Sequence, residues 1–277
     1  MESPSRLAGD SWGEDDNPRR YDAYAREYPS YRVTSRDLIA VALALDDADV
    51  AVLDLACGTG ATAREILAVL GPDGSVTGVD KSAAMLGVAA SSTPDPRASW
   101  IQARAECVDQ HVTEPVDAVI CNSAIWQTDF AAAAMALRAV VKPGGRFAFN
   151  VPAGFLGDGS RDRYPSLLSE MRAIAERDYG WAPEERAPGR TLTRESIRRS
   201  LAAAGFDLDQ VREVSHQDSA ESQRAWLSIP IFTADLLGGL RYEDRMRVLD
   251  QAYERLGPAQ TEPGEWVVFA AVFAARI

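Results

Sequence analysis

Between residues 50 and 151 the chain repeats one pattern: a short β-branched and apolar run, a turn, a helical stretch, then another such run. Runs separated by helices in this rhythm must be joined by crossovers, and right-handed crossovers build a parallel sheet covered by helices. The runs fall at residues 50–55, 75–79, 99–102, 116–121 and 146–151. Residues 61–70 have helical composition and stop at Gly71-Pro72. Ser82 caps a helix reaching about Ala90, and residues 129–141 form an alanine-rich helix ended by Lys142-Pro143-Gly144-Gly145. Upstream, residues 17–45 read as two helices broken near Pro29.

Past residue 151 the rhythm breaks. Residues 152–192 are rich in Gly, Pro, Arg and aromatics. A helix starting near Thr193 ends at Gly205, a strand follows at 206–214, residues 216–263 look helical and irregular, and a last strand covers 265–275. The predicted organisation is therefore a flexible leader (1–16), N-terminal helices with the ligand-binding half of the sheet (17–151), and a first insertion (152–192). A helix and strand of the core (193–215), a second insertion (216–264) and the final strand (265–277) follow. Ligands of open α/β sheets sit beyond the carboxyl ends of the strands, so insertions leaving there can roof the site.

Composition narrows the function classes. With 277 residues, 46% of them hydrophobic, the chain can bury one substantial core. A formal charge of −12 argues against a nucleic-acid partner, which needs clustered Lys and Arg; the one basic stretch, 186–199, reads as a solvated helix face. Cys57, Cys107 and Cys121 show no C-x-x-C spacing, so neither a disulfide framework nor a zinc site is expected, and a reducing compartment fits. The first residues lack an apolar signal core, and the longest apolar run, 266–275, is half of the ~20 residues a membrane span needs. The reading is a cytoplasmic protein, monomer or homodimer, with no membrane partner and no metal.

The turn after the first strand, in VLDLACGTGATA from Val52 to Ala63, carries G-x-G-x-x-A from Gly58. This is the spacing of a dinucleotide-binding loop, weak by itself. Asp80 follows Gly60 by twenty residues, at the end of the second strand, where a carboxylate accepts hydrogen bonds from ribose hydroxyls. That indicates an adenosine-type ligand, either NAD or S-adenosylmethionine. Asp54 separates them: a carboxylate at the turn repels a pyrophosphate and attracts an ammonium or sulfonium. At 4 Å such a charge pair is worth ~4 kcal/mol at an effective dielectric of 20.

Taken in order, VLDLACGTG, VTGVD, Ala105-Glu106, DAVICNSA and VKPGGRFAF resemble the class I, seven-stranded S-adenosylmethionine-dependent methyltransferases, in the branch acting on small molecules. The resemblance covers residues 20–151. It implies a Rossmann-like, doubly wound, mostly parallel seven-stranded α/β sheet with N-terminal helices, an antiparallel last strand and a lid made of the two insertions. It also implies S-adenosylmethionine as cofactor and S-adenosylhomocysteine as product. Carried onto this chain, the pattern puts Asp54, Ala56, Gly58 and Gly60 beneath the methionine and ribose, and Asp80 on the ribose hydroxyls. Lys81 and Met85 would flank the adenine, Ala105 would offer its amide to it, and Asn122 would meet the amino-acid portion. Ala56 replaces a family glycine, which suggests ordinary backbone angles there. Arg104 stands where an acid often meets the adenine amino group, a contact Glu106 could replace. Trp126-Gln127 occupies positions where relatives often carry histidines.

A sulfonium methyl is already activated, so alignment of the acceptor is most of the task, and no metal is required. Of the two histidines, His111 reads as a surface residue, whereas His216 lies at the carboxyl end of the penultimate strand and is a candidate base. Gln127 can orient an acceptor but cannot accept a proton. Tyr21, Tyr24, Tyr28 and Tyr31 share a helix face up to Pro29; Tyr28 or Tyr24 could cover the sulfonium. Tyr24, Trp126, Phe155, Tyr164 and Trp226 are candidate acceptor contacts, suited to an aromatic or hydrophobic natural-product intermediate. Three other readings stay open: the same fold used for a non-methylating cyclisation or isomerisation, an NAD-dependent oxidoreductase, and a cofactor sensor.

Overall fold

The computed structural model describes residues 12, 16–43, 49–157, 165–183, 192–257 and 264–274. Among them seven strands form one sheet: β1 (Ala51–Leu55), β2 (Ser75–Asp80), β3 (Ala98–Gln102), β4 (Val116–Cys121), β5 (Val141–Pro152), β6 (Phe206–His216) and β7 (Gly264–Phe273), in the order β3-β2-β1-β4-β5-β7-β6. Neighbours from β3 to β5 run parallel, while β7 runs antiparallel to both β5 and β6. The fold is thus the seven-stranded, doubly wound α/β sheet that the resemblance implied, with the parallel half that the alternation predicted.

Ten helices accompany it among the described residues: α1 (Asn17–Glu27), α2 (Ser30–Ala42), α3 (Ala61–Leu67), α4 (Ala83–Ser92), α5 (Phe130–Val140), α6 (Pro165–Tyr179), α7 (Arg194–Ala204), α8 (Ala220–Leu227), α9 (Pro230–Leu236) and α10 (Tyr242–Leu256). The central strands bury both faces. In β1, Leu53 and Leu55 enter a core with α5 and α7, whereas Val52 enters the opposite core with α2 and α3. A strand buried on both sides reads as a continuous apolar run, and Asp54 is the exception within it. Caps define the helices as the sequence suggested: the Ser82 side chain accepts the Met85 N–H, Asp129 caps α5, and Thr193 opens α7 in a reciprocal box with Ser196.

Two elements differ from expectation. Lys142–Gly145 does not end the chain's run before β5 but lies inside it, because Val116 pairs with Val141 and the ladder resumes at Ala118 and Arg146. The four residues bulge against β4, where a Cβ on Gly145 would stand 2.8 Å from the Asp117 carbonyl, and Lys142 Nζ donates to the Asp117 carboxylate at 2.8 Å. The second difference is α6, a helix inside a stretch whose Gly and Pro content suggested irregular chain. Its Leu167, Leu168, Met171, Ile174 and Ala175 share a core with Leu227, Val248, Leu249 and Ala252.

Both inserted segments leave from the same end of the sheet, after Pro152 of β5 and after His216 of β6. That is the end at which β1 and β4 also finish. Tyr24 of α1 packs there with Ile229 and Ile231, next to α8 and within α9, so the second insertion meets the N-terminal helices.

Candidate active site

The site begins where β1 passes into α3. Ala56, Gly58 and Gly60 take φ of 56°, 54° and 75°. Ala56 therefore does not have the ordinary angles its replacement of a glycine suggested. The turn keeps the left-handed bend that glycine adopts freely, and the alanine Cβ makes it cost ~1–2 kcal/mol. The two glycines act differently. A Cβ on Gly60 would stand 2.7 Å from the Trp100 ring, so this position is held by packing, whereas the space over Gly58 is bounded by Tyr21 Cε1 at 3.8 Å.

Asp54, 1% exposed, lies under this turn, and its Oδ2 has no hydrogen-bond partner among the described residues. Burial pushes its carboxyl up to about 8; Asp80 adds to the shift, while the Ala63 N–H and Arg64 oppose it. Beside it, Asp80 accepts the Gly58 N–H on Oδ2 and the Ser82 N–H on Oδ1, each at 2.9 Å. Burial raises the Asp80 carboxyl too, against these two N–H groups. Each Asp80 oxygen keeps a lone pair for a further donor. Two buried carboxylates, one with an unpartnered oxygen, fit a ligand that brings hydroxyls and positive charge, and would repel phosphates.

Lys81 follows β2, and its carbonyl accepts Gln102 Nε2 at 3.1 Å. Met85 is buried in the first turn of α4, and Ala105 is buried after β3, where the chain turns back toward the sheet. Glu106 is already engaged: Oε1 accepts the Asp129 N–H at 2.8 Å, and Oε2 lies 3.4 Å from Arg104 Nε. It fixes the start of α5 rather than standing free for an adenine amino group. Asn122 closes β4 with its side chain inside a buried network. Nδ2 donates to Thr34 Oγ1 (3.1 Å), Ser35 Oγ (3.0 Å) and Thr62 Oγ1 (3.3 Å), and Oδ1 accepts from Asn150 Nδ2 at 2.8 Å. Asn150 Oδ1 in turn accepts the N–H of Ser123, a residue held at φ 58°.

The tyrosine face divides. Tyr24 is buried with its hydroxyl 3.0 Å from Ser222 Oγ, and Tyr28 stacks on it with centroids 5.2 Å apart. Both thus pack toward α8, which corrects the expectation that Tyr28 covers the turn and that Tyr24 meets the acceptor. Tyr21 takes that place, against Gly58, with its ring 4.9 Å from that of Tyr31. Burial holds the Tyr21 phenol protonated far above its usual range.

On the other side, Trp126 stacks on Phe155 at 5.0 Å, and Trp226 on Phe232 at 3.6 Å. Gln127 Oε1 accepts the indole N–H of Trp12 at 3.3 Å. Tyr164 lies outside the described residues. His216 is a correction: its Nε2 is 2.6 Å from Asp37 Oδ2, tying α2 to the edge strand. In the order β1-β4-β5-β7-β6 it stands four strand spacings from β1, ~19 Å at ~4.8 Å each. His111 is exposed. Among the described residues no three His, Cys, Asp or Glu could share a metal, and no helix is long and apolar enough to cross a membrane. A groove of about 450 Å³ beside Phe206 and Val211 lies at the opposite end of the sheet and touches none of these residues.

Trp12, Tyr21, Asn150 and the Ser35–Thr62 pair were not singled out as site residues in the sequence. Helical spacing did signal Tyr21, as a member of the tyrosine stripe. The polar side chains at strand and helix ends gave no periodic signal.

Residues 52–145 match the family model of a methyltransferase domain. No curated protein matches the chain. Among solved structures, phosphoethanolamine N-methyltransferase 2 of Haemonchus contortus, in complex with phosphomonomethylethanolamine and S-adenosylhomocysteine, is 17% identical with a TM-score of 0.58, over 98% of this chain and 61% of its own. Geranyl diphosphate methyltransferase, in complex with GPP and sinefungin, is 16% identical with a TM-score of 0.51, over 88% and 78%. The [4+2]-cyclase SpnF is 19% identical with a TM-score of 0.53, over 89% and 82%. The matched stretch runs from β1 into β5 and holds the glycine turn, Asp54 and Asp80, so this part of the chain is a methyltransferase domain, and the likeness to the solved structures extends its fold over the rest of the sheet.

Proposed function

We propose that the protein methylates a small aromatic or hydrophobic acceptor, an intermediate in natural-product biosynthesis, in a cavity between the glycine turn and the two insertions. The observation carrying this reading is the aromatic lining gathered beside Gly58: Tyr21 against the turn, and Trp226 with Phe232 beyond it. Such a lining suits a flat apolar molecule and offers no charge to a phosphate backbone. The inserted segments act as its lid. Three free cysteines and an acidic surface suit a reducing, cytoplasmic setting.

In this reading Asp54 faces the positive charge of the cofactor, Asp80 takes the ribose hydroxyls, and the backbone of Ala56, Gly58, Gly60 and Asn122 shapes the trough. Lys81, Met85 and Ala105 border the adenine. S-adenosylmethionine, when bound there, would supply an activated sulfonium methyl for the acceptor. The protein's contribution is alignment, worth up to ~7–11 kcal/mol of barrier. Gln127 orients the acceptor and holds no proton for exchange. With His216 engaged by Asp37, no histidine among the described residues reaches the turn. The reading therefore favours an amine, a thiol or an electron-rich carbon over a weakly acidic alcohol.

Calorimetric titration with S-adenosylhomocysteine tests the binding half: micromolar affinity is expected, reduced at least ~10-fold in Asp80→Ala, since two charge-assisted hydrogen bonds are lost. Binding that ignores this substitution would refute the assignment. A second reading, cofactor retained for cyclisation rather than transfer, is favoured by the likeness to SpnF and by the missing base. A methylated product seen by mass spectrometry eliminates it.

A further inference from the structure

Trp12 lies ahead of α1, and its indole is held at three points. Its Nε1–H donates to Gln127 Oε1 at 3.3 Å. Its ring meets Tyr21 edge-on, centroids 5.5 Å apart and planes at 83°, and meets Phe232 at 5.4 Å and 81°. Phe232 is backed by Trp226, stacked at 3.6 Å, and Tyr21 is backed by Tyr31 and by the Gly58 turn. Gln127 sits in the 3-10 turn Ile125–Gln127 directly after β4, at the carboxyl end of the sheet. A flat fused ring is therefore held between two aromatic partners with a polar atom on its edge satisfied, within one ring of the cofactor turn.

We infer that Trp12 occupies the acceptor's seat, and that the acceptor is a planar fused-ring aromatic bearing an N–H or O–H donor on its edge. This rests on the methyltransferase reading and specifies its substrate class. Two features select that class. Edge-to-face contacts require a flat ring with a polarised rim, which an aliphatic chain lacks. The Gln127 oxygen, once Trp12 leaves, is a part-buried acceptor that a hydrocarbon would leave unsatisfied. The indole must vacate for the acceptor to enter, so Trp12 competes with substrate. The apparent affinity for the acceptor is lowered by the fraction of molecules in which the seat is filled.

The test uses indole, and indene as its carbocyclic analogue without the N–H, measured by calorimetry on the full chain and on Trp12→Ala. Indole is expected to bind Trp12→Ala about tenfold more tightly than the parent, the effect of emptying a seat that is filled about nine-tenths of the time. Indene should gain less, and Gln127→Leu placed in the Trp12→Ala background should erase the preference for indole. Equal indole affinity in parent and variant, or a preference unaffected by Gln127→Leu, overturns the inference. Should Trp12→Ala fail to fold by thermal melt, Gln127→Leu alone decides: it removes the hydrogen bond holding Trp12, so indene should bind severalfold more tightly, and unchanged indene binding overturns the inference. S-adenosylhomocysteine is titrated in parallel. If it fails to bind the parent, the methyltransferase reading falls; if it binds while indole ignores Trp12, only the seat does.

Discussion

Asp54 concentrates the residue-scale argument. Its carboxyl ionises near 4 in an unfolded chain and at about 8 in the folded protein, because burial disfavours its charge. Between those values the folded state holds a proton that the unfolded state has released. Stability without ligand therefore falls as pH rises, by about 1.4 kcal/mol per unit from this group, and levels off above about 8. Denaturant midpoints at pH 5, 6 and 7 should show that slope, shallower by this amount in Asp54→Asn. Affinity for S-adenosylhomocysteine, whose ammonium favours the ionised form, should rise up to tenfold per unit between pH 6 and 8, then flatten; the Asp54→Asn variant should lose that rise. The neighbouring Ala56 carries the cost of its left-handed backbone, so Ala56→Gly is expected to stabilise by about 1 kcal/mol. A thermal melt would show this as a rise of about 2–4 °C. The sequence made Asp54, Gly58 and Asp80 legible because turn chemistry and charge depend on local order. It could not place Tyr21 ahead of Tyr28, because helical spacing shows which side chains share a face but not what faces them. That is decided by Ser222, which reaches the Tyr24 hydroxyl from 198 residues away.

Among elements, α2 is the one whose position matters most and was least visible. Its Thr34 and Ser35 are buried, and they join Asn122, Thr62 and Asn150 in a polar network linking α2, α3, β4 and β5. A satisfied buried network fixes geometry, and one missing member leaves several groups unpaired. Asn150→Ala is expected to cost about 2–4 kcal/mol, because both the Ser123 N–H and the Asn122 Oδ1 lose a partner. Urea unfolding measures this, and a loss under 1 kcal/mol would show that the network adjusts around the gap. Strand positions were readable to within a residue or two wherever β-branched runs sat between turns. The exceptions have physical causes. At Lys142–Gly145 two glycines serve a bulge rather than a stop, and α6 shows its apolar spacing only against flanking Gly and Pro. His216 was placed at the proper end of its strand, but strand order depends on distant pairing, and that order puts it on the sheet edge.

At the scale of the molecule, two cores lie on either face of one sheet, and a third joins α6, α8 and α10 beyond its carboxyl end. The aromatic cluster that reaches the turn connects this third core to α1, so α8 and α9 pack against the N-terminal helices beside the turn. The reversed direction of β7 has a practical consequence. Phe273 finishes at the end of the sheet away from the turn, where Ala274 N–H bonds the Gly205 carbonyl, while Trp12 lies against Tyr21, the ring over Gly58. A bulky label attached just after that last strand would leave the entrance clear, whereas one attached at Trp12 itself would sit at the door.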